Sequence, residues 1–577
     1  MRPPLPECSI ALPALYLACL MGLPCGADAA MQPCGSPATA LADLRSPGQI
    51  SPLAGRTAEV QAIVTADFSG DGGLRGFFLQ TADAQRVHRP GLSEGLFVYA
   101  PRARADVGDM VRVSGRIEEK FGQTQLVLSG SPLVCARGLS VKPQTLTLPL
   151  AGESDLAALE GMLVRLPQTL TVSDAHELGR YGTLVLSHGR PIAPTQQALP
   201  GPAARQAAAD NARNRLLLAG DTIAGVQGVL ERRHGQWRLQ PVRGAAAPAY
   251  QHASPRPSAP RRHPATALRV AAFNLQNYFN GDGLGGGLDA PDNRGAQDAA
   301  ALARQQAKLV AALSALDADV IGLMEVQNNG FGPTGAIRQL AALLGPDWRV
   351  VDPGTPALGA DAIAVGLLYN ARTALPAGRV ATTWLGERSR QPLAATFRTA
   401  AGGAPVTVVV NHFKSKNCVE AAGTQADQRD GQGCWNPARV QAADTLARWL
   451  GTAPTGIADT GVLVIGDLNS YAMEDPIRLL ARRGYADLVA RFAGPHAYSY
   501  VYAAQAGYLD HVLADATAMA HVIAVHAWHI NADEPAALSY AAAPGSGAAP
   551  GFYAPDAYRS SDHDPLVVDF ASSPRAR

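Results

Sequence analysis

A dominant sign of charge is missing from this sequence. Its 577 residues carry 49 Lys and Arg against 48 Asp and Glu, for a formal net charge of +1. No global field therefore steers the chain to a polyanion, and any such attraction must come from a local patch or a bound cation. Long apolar runs are missing too. After residue 30 none approaches the roughly 20 residues that a membrane-spanning helix needs, which excludes a helical membrane domain there. Cysteine is scarce in the body of the chain. Of seven, those at 8, 19 and 25 fall at the very start, leaving Cys34, Cys135, Cys418 and Cys434.

The first thirty residues read as an export signal. Arg2 precedes an apolar stretch over 10–23, and Ala27-Asp28-Ala29 supplies small residues for cleavage. Pro24 before Cys25 does not fit lipid attachment, so no stable membrane anchor is expected. An even set of four cysteines then suits an oxidising compartment. We pair Cys34 with Cys135, bracketing the first β-rich region, and Cys418 with Cys434, closing a short loop; free buried thiols are the competing reading. The expected location is secreted or extracellular, with the periplasm as the alternative.

At about 100–200 residues per domain the length suggests three or four domains, or one large domain with satellites. Over 31–140, β-prone runs such as Gly76-Phe77-Phe78-Leu79-Gln80 and Gly95-Leu96-Phe97-Val98-Tyr99 alternate with glycine turns. Short strands at regular spacing predict a small barrel, OB-like by preference. Barrel aromatics can stack single strands, but Phe77, Phe78, Phe97 and Tyr99 alternate as core residues do. A second β-rich region spans 141–243, either another OB-like barrel or an elaboration of the first. An Ala/Pro/Arg stretch over 244–266 reads as a flexible linker whose Arg256, Arg261 and Arg262 are solvated.

After the linker, strand-like runs at 268–273, 320–324, 406–410, 462–465 and 566–570 are separated by amphipathic helical stretches over 299–316 and 437–450. Polar groups gather just after the strands: Asn274, Glu325, Asn411-His412, Asp467 with Asn469, Asp510-His511, and Ser561-Asp562-His563-Asp564. One acid at a strand end is an ordinary cap or turn. Six such sites with acids, amides and histidines but no cysteine suit a hard cation, Mg²⁺, Mn²⁺ or Ca²⁺, rather than structural zinc.

The order Asn274, Glu325, His412, Asp467 with Asn469, Asp510, and Asp562 with His563 resembles the endonuclease/exonuclease/phosphatase superfamily, of which DNase I is the best-known type. Longer runs are similar to its secreted bacterial nuclease branch, in which an OB-like module precedes the catalytic domain. They are Asn411-His412-Phe413-Lys414-Ser415-Lys416, Asp430-Gly431-Gln432-Gly433, Gly466-Asp467-Leu468-Asn469-Ser470-Tyr471, and Trp528-His529-Ile530-Asn531 with the residues up to Pro535. The resemblance implies an α+β catalytic domain over 267–572, a two-layer β-sandwich flanked by helices with the site at one end of the sheets. It departs at Gln327, where the family more often has an acid; this bears on a second metal contact and not on Glu325.

The roles implied follow from phosphodiester hydrolysis, which needs an aligned water, stabilised charge and a protonated leaving group. Glu325 is expected as the main metal ligand, with Asn274 and Asp562. His563 is the expected general base, oriented by Asp510. Asp467 and Asn469 hold phosphate and nucleophile, and His412 donates to phosphate or to the leaving oxygen. Asp361 orients His412 or is only a turn residue. Lys414, Lys416 and Arg294 are candidate substrate contacts; His511 and Asp564 read as structural. Trp528 to Pro535 reads equally as a polar network beside the site or a packed turn.

The expected function is a divalent-metal-dependent nuclease, with DNA the first substrate and RNA the second, and no protein partner. Alternatives are a sphingomyelinase-like or phosphoinositide-directed phosphoesterase on the same scaffold, or a catalytically inactive binding protein. A membrane-directed enzyme would carry an exposed aromatic hairpin or an amphipathic helix, and neither is read here. Every proposed catalytic residue lies beyond Leu268, so the N-terminal half is not expected to be needed for cutting. Its OB-like surface is expected to bind substrate from a flexible tether, with packing against the catalytic domain as the competing reading.

Overall fold

A computed structural model describes residues 31–46, 50–70, 73–87, 89–219, 227–242, 256–400, 402–541 and 550–574. The predicted export signal, residue 243 and residues 244–255 of the predicted linker lie outside the described residues.

Strands β1 (Thr57–Phe68), β2 (Gly76–Gln80), β3 (Gly95–Tyr99), β4 (Met110–Lys120) and β5 (Gln123–Ala136) close into a barrel in the order β1-β2-β3-β5-β4. Phe77, Phe78 and Phe97 are buried, as their alternation indicated. The Cys34–Cys135 disulfide joins the chain entering the barrel to the end of β5, with a Cα separation of 5.5 Å.

The second β-rich region forms one seven-stranded sheet. Its strands are β6 (Gln144–Thr145), β7 (Leu163–Arg165), β8 (Thr171–Asp174), β9 (Thr183–Ser187), β10 (Leu216–Ala219), β11 (Gln227–Arg233) and β12 (Gln236–Pro241). They lie in the order β6-β7-β11-β12-β10-β9-β8. Between β9 and β10 the alanine-rich stretch folds into helices Pro194–Gln197 and Pro202–Arg213, each started by a proline whose missing N–H is not needed there.

The catalytic region is a sandwich of two six-stranded sheets. The first contains β13 (Thr266–Tyr278), β14 (Val320–Gln327), β15 (Trp348–Val350) and β16 (Ile363–Asn370). The second holds β17 (Ala374–Thr382), β18 (Leu393–Thr399), β19 (Val406–His412), β20 (Gly461–Asp467) and β21 (Ala486–Asp487). A hairpin, β22 (Tyr500–Tyr502) and β23 (Gln505–Gly507), precedes β24 (Asp510–Ala514), β25 (Val522–Ala527) and β26 (Leu566–Ala571). The sheet orders are β15-β16-β14-β13-β26-β25 and β17-β18-β19-β20-β24-β21. Val270, Leu323, Val408, Val410, Ile465 and Val512 from both sheets share one buried core. The sheets approach so closely at Gly322 that a Cβ there would lie 2.5 Å from Ile465 Cδ1. Helix Ala299–Ala315 starts at Asp298, whose side chain accepts from Ala301 N at 2.7 Å. It buries Leu309, Ala312 and Leu313 on one face.

Two expectations about the linker and tether do not hold. Arg256 pairs with Glu534 at 2.8 Å and lies over the Tyr558 ring. Arg262 pairs with Asp319 at 2.5 Å, and Trp528 Nε1 donates to Pro257 O at 2.9 Å. Arg256 and Arg262 are thus paired to carboxylates of the sandwich, which offset part of their charge, whereas Arg261 is exposed as expected. The second sheet also docks directly on the sandwich. Thr195 Oγ1 donates to buried Glu474 at 2.6 Å, and Met473 N donates to Thr195 O at 3.0 Å. Arg190 meets Asp533 at 2.6 Å.

Within the sandwich, Arg269 and Asp569 face each other across β13 and β26 as a fully buried bidentate pair at 2.7 and 2.9 Å. The remaining guanidinium hydrogens reach the carbonyls of Pro260 and Leu316. Asp569→Ala leaves a buried unpaired cation and is expected to cost about 3–5 kcal/mol. A thermal midpoint within 1–2 °C (about the scatter of a scan) of the parent protein would contradict this.

Candidate active site

Strand register builds the site. On β19 and β20 His412 stands beside Asp467, and on β20 and β24 Asp467 stands opposite Asp510. Three functional residues thus become lateral neighbours although they are far apart in sequence. Gly466 makes the packing possible: at φ +120 a Cβ would fall 2.1 Å from Asn411 O.

The other sheet contributes Asn274 and Glu325. Glu325 takes φ +60, and the β14–β16 register slips between Leu323 and Val326. This bulge turns the carboxylate out of the strand's regular alternation, a costly backbone for a glutamate that the surrounding sheets hold in place. Asn274 lies where the sheets converge. Its Nδ2 donates to Glu325 Oε1 and to Asp467 Oδ2, both at 3.2 Å, while its Oδ1 accepts from Gln276 N at 3.0 Å. Asn274 therefore braces two carboxylates with its nitrogen.

Burial pushes Asp467 up to about 7, against the pull of His563 and with further push from Asp510. Burial also raises Glu325, and the charge of Asp562 raises it further. Carboxylates that hold protons this readily mark a site short of positive charge. Ligand atoms of Glu325, His412 and Asp467 lie within 4.8 Å of one another. Among the described residues, the Asp562 carboxylate accepts only from the Ser561 hydroxyl, at 3.4 Å. This oxygen-rich set fits a hard divalent cation. Gln327 is not part of it: Gln327 accepts from Asn280 N and donates to Gly281 O.

His563 Nδ1 meets Asp510 Oδ2 at 2.7 Å, and Ser499 Oγ donates to the same oxygen at 2.7 Å. The imidazole stacks on Tyr500, with centroids 4.5 Å apart. Burial would lower His563, but Asp510 overcomes it through charge and hydrogen bond, helped by Asp562 and Asp467, and holds it well above its usual value. The carboxylates responsible include those a cation would neutralise, so base strength and cation binding are coupled. Burial and the Arg390 charge keep His412 well below its ordinary value, hence neutral. Its Nε2 lies 3.6 Å from Asp467, and its buried Nδ1 has no hydrogen-bond partner. Asn469 at φ +48 donates its backbone N–H to Asp467 and its side-chain amide to Phe413 O.

The candidate substrate contacts divide. Lys414 is half-buried over the Trp435 ring. Lys416 is committed instead: its ammonium meets Glu474 at 2.5 Å and Gln432 O at 2.7 Å, and burial brings it down to about 8 despite Glu474. Asp361 does not orient His412. It holds Arg294 at 3.1 Å and Arg390 at 3.1 Å. Arg390 also reaches Phe413 O and donates its backbone N–H to His412 O. With Arg388 and Lys414 these arginines line a 310 Å³ cleft beside His412. A second cleft of 690 Å³ beside His563 is lined by Asn469, Tyr471, Tyr500 and Tyr502.

Arg390, Ser499 and Tyr500 are functional neighbours that the sequence reading passed over. The aromatic alternation Tyr498-Ser499-Tyr500-Val501-Tyr502, just before Asp510, was the available signal. It also carries a correction, because Tyr502 is 67% exposed on the β22–β23 hairpin, so an exposed aromatic hairpin is present. The segment Trp528 to Pro535 is a polar clamp. Asn531 accepts from Ser560 N and Ser561 N and donates to His563 O. Asp564 accepts three backbone N–H groups from Ile530, Asn531 and Ala532 and pairs with His529. His511 is structural, its Nε2 lying 2.7 Å from Ser470 O.

A two-sheet sandwich with carboxylates, histidines and amides converging at one end defines a phosphoester hydrolase. Residues 271–563, just over half the chain, match the Endonuclease/Exonuclease/phosphatase family, and the protein belongs to it. Similar solved structures include an endonuclease/exonuclease/phosphatase from Bacteroides vulgatus (17% identity, 53% of this chain and 99% of that one, TM-score 0.34). A mannosyl-6-phosphatase from Bacteroides thetaiotaomicron is similar at 14% identity, over 53% and 99% of the two chains, with TM-score 0.34. The human Nocturnin catalytic domain with bound sulfate is similar at 15%, over 53% and 93%, with TM-score 0.33. No curated protein matches.

Glu325→Ala is expected to lower turnover by about 10³-fold or more, as loss of a cation's charge stabilisation costs several kcal/mol. The folded domain should persist, and the Mg²⁺-dependent rise in thermal midpoint should vanish with it. His563→Ala and Asp510→Ala are expected to be strongly non-additive in kcat. A double variant that loses the product of the two single losses would show that they do not act as one unit.

Proposed function

We propose that this protein is a secreted, divalent-metal-dependent nuclease that hydrolyses phosphodiester bonds, with DNA as first substrate and RNA as second. The observation that carries this reading is the pair of clefts. One is basic and is lined by Arg390, whose backbone donates to His412 O; the other is aromatic and is lined by Asn469 and by Tyr500, which stacks on His563. A diester has groups to place on both sides of the reacting phosphorus, whereas a phosphomonoester fills one.

In this reading His563, once free of its proton, accepts one from the attacking water, and Asp510 holds the tautomer that leaves Nε2 available. Asn469 and Asp467 position the phosphate and the water. Neutral His412 donates to a phosphate oxygen or to the leaving oxygen. A divalent ion, Mg²⁺ first and Mn²⁺ or Ca²⁺ as alternatives, held by Glu325 with Asp562 and Asp467, supplies Lewis-acid stabilisation of the developing charge. The closed five-stranded barrel, read as OB-like, is an architecture suited to nucleic acid, although its Phe77, Phe78 and Phe97 belong to the core and not to a stacking surface. Secretion rests on the predicted export signal and on the two disulfides, Cys34–Cys135 and Cys418–Cys434.

The exposed Tyr502 hairpin raises the lipid-directed alternative. Its turn is tied down, however: Ala504 N donates to Asp174 Oδ2 at 3.1 Å, and Ala504 is buried. A hairpin held at its tip does not insert into a bilayer. No helix among the described residues is long and apolar enough to span one.

Purified protein is expected to cut supercoiled plasmid, linear DNA or RNA with Mg²⁺ and to stop with EDTA. Sphingomyelin or phosphoinositide vesicles should give no product. Turnover of vesicles without turnover of any nucleic acid would overturn the assignment.

A further inference from the structure

The cleft beside His563 is built from two halves of the chain. Ala193 and Pro194, from the N-terminal half, form one wall, and the disulfide-closed loop around Asn417 and Cys418 forms another. Tyr471 and Leu509 lie buried within it, and Tyr502 stands exposed at its edge.

The N-terminal half also fixes the hairpin that carries the tyrosines. Ala506 N donates to Pro191 O and Ala193 N to Ala506 O, both at 2.9 Å, a short parallel bridge between halves. Asn211 Nδ2 donates to Gln505 Oε1 at 2.9 Å and to Ile192 O at 2.7 Å. Thr195, fully buried, donates to Glu474, which holds Lys416. Four hydrogen bonds from residues 191–211 thus converge on this one cleft. Such a joint is not a tether between independent domains.

We propose that this shared cleft is a subsite for an unpaired nucleobase next to the scissile phosphate, with Tyr502 as its stacking surface. The inference rests on the nuclease reading and deepens it by naming the substrate class: single strands or unpaired flanks. Three observations carry it. The Tyr502 ring, 67% exposed in the lining of the cleft, offers a free π-face. The volume of 690 Å³ is that of a small-molecule site, closed in by walls from both halves. The one lysine in the lining is already neutralised by Glu474, and Asp427 adds a carboxylate, so no free cation is left for phosphate among the lining residues and the tyrosines offer the contact for a neutral base. Stacking requires an open base face, which a paired duplex covers with its neighbouring steps.

The test uses the full-length protein with Mg²⁺ and three substrates: a single-stranded oligonucleotide, the same sequence as a duplex, and a simple dialkyl phosphate diester. Tyr502→Ala is expected to raise KM on the single strand about 10-fold, the scale of one lost stack, with a clearly smaller effect on the duplex and the dialkyl diester. Tyr502→Phe should recover the single-strand KM. Asn211→Ala, remote from the chemistry, should raise KM in the same direction with little change in kcat. Equal losses on all three substrates, or no rescue by phenylalanine, would overturn the subsite while leaving the nuclease reading intact. An Asn211→Ala variant altered only in thermal stability would remove the N-terminal half from it. A parent protein that cuts no nucleic acid would overturn both readings.

Discussion

The Asn274 amide, held between Glu325 and Asp467, is the contact on which the catalytic end of this molecule depends. It joins the two sheets at the point where each delivers a carboxylate. Without a donor there, two buried acids face each other at low effective dielectric, and one of them must take a proton or move. The amide offsets part of that repulsion but carries no net charge. Burial is what chiefly raises Asp467 and Glu325, with neighbouring carboxylates adding to it, and a site that disfavours unscreened anions is receptive to a divalent cation. The bulge at Glu325 and the glycine at 466 are the backbone conditions for bringing these groups so close.

Around that centre the structure invests in rigidity rather than in charge. Asp510 and Ser499 fix His563 from one side, and Tyr500 stacks on it from another. Asn531 and Asp564 clamp the loop that carries Asp562 and His563, so the segment from Trp528 to Pro535 acts as a scaffold for His563. Positive charge is kept to one flank, where Arg294 and Arg390 share Asp361. On the proposed nuclease reading, this local concentration is what a chain of nearly zero net charge offers a phosphate backbone.

The second sheet and the sandwich form a joint. Thr195 caps a buried glutamate of the sandwich, and residues 190–213 pin the hairpin before β24. A buried hydrogen bond to a charged group is costly to break without a replacement, so the halves support each other's geometry. That coupling runs against a tethered-module picture, which rested on the positions of the catalytic residues in the chain and not on what holds them.

Much of this was legible in the sequence. The strands at 268–273, 320–324, 406–410 and 462–465 are where the apolar runs put them, and the polar residues after them do converge. Both disulfides follow from parity and position. These readings succeed because strand burial and strand-end polarity are local patterns. The roles of Asp361, Lys416 and Arg390 were not legible, because each depends on which side chain lies across a loop or a sheet. The positive φ of Glu325 leaves no mark in a run of ordinary residues, and the docking of residues 190–213 leaves only an alanine-rich stretch of unremarkable composition. By itself, then, the sequence determined the chemical groups and the strand ends that carry them, since both are properties of short segments. Only the tertiary structure decided which groups share charge, which are spent on each other, and that the N-terminal half walls the cleft, since those depend on distances between residues hundreds of positions apart.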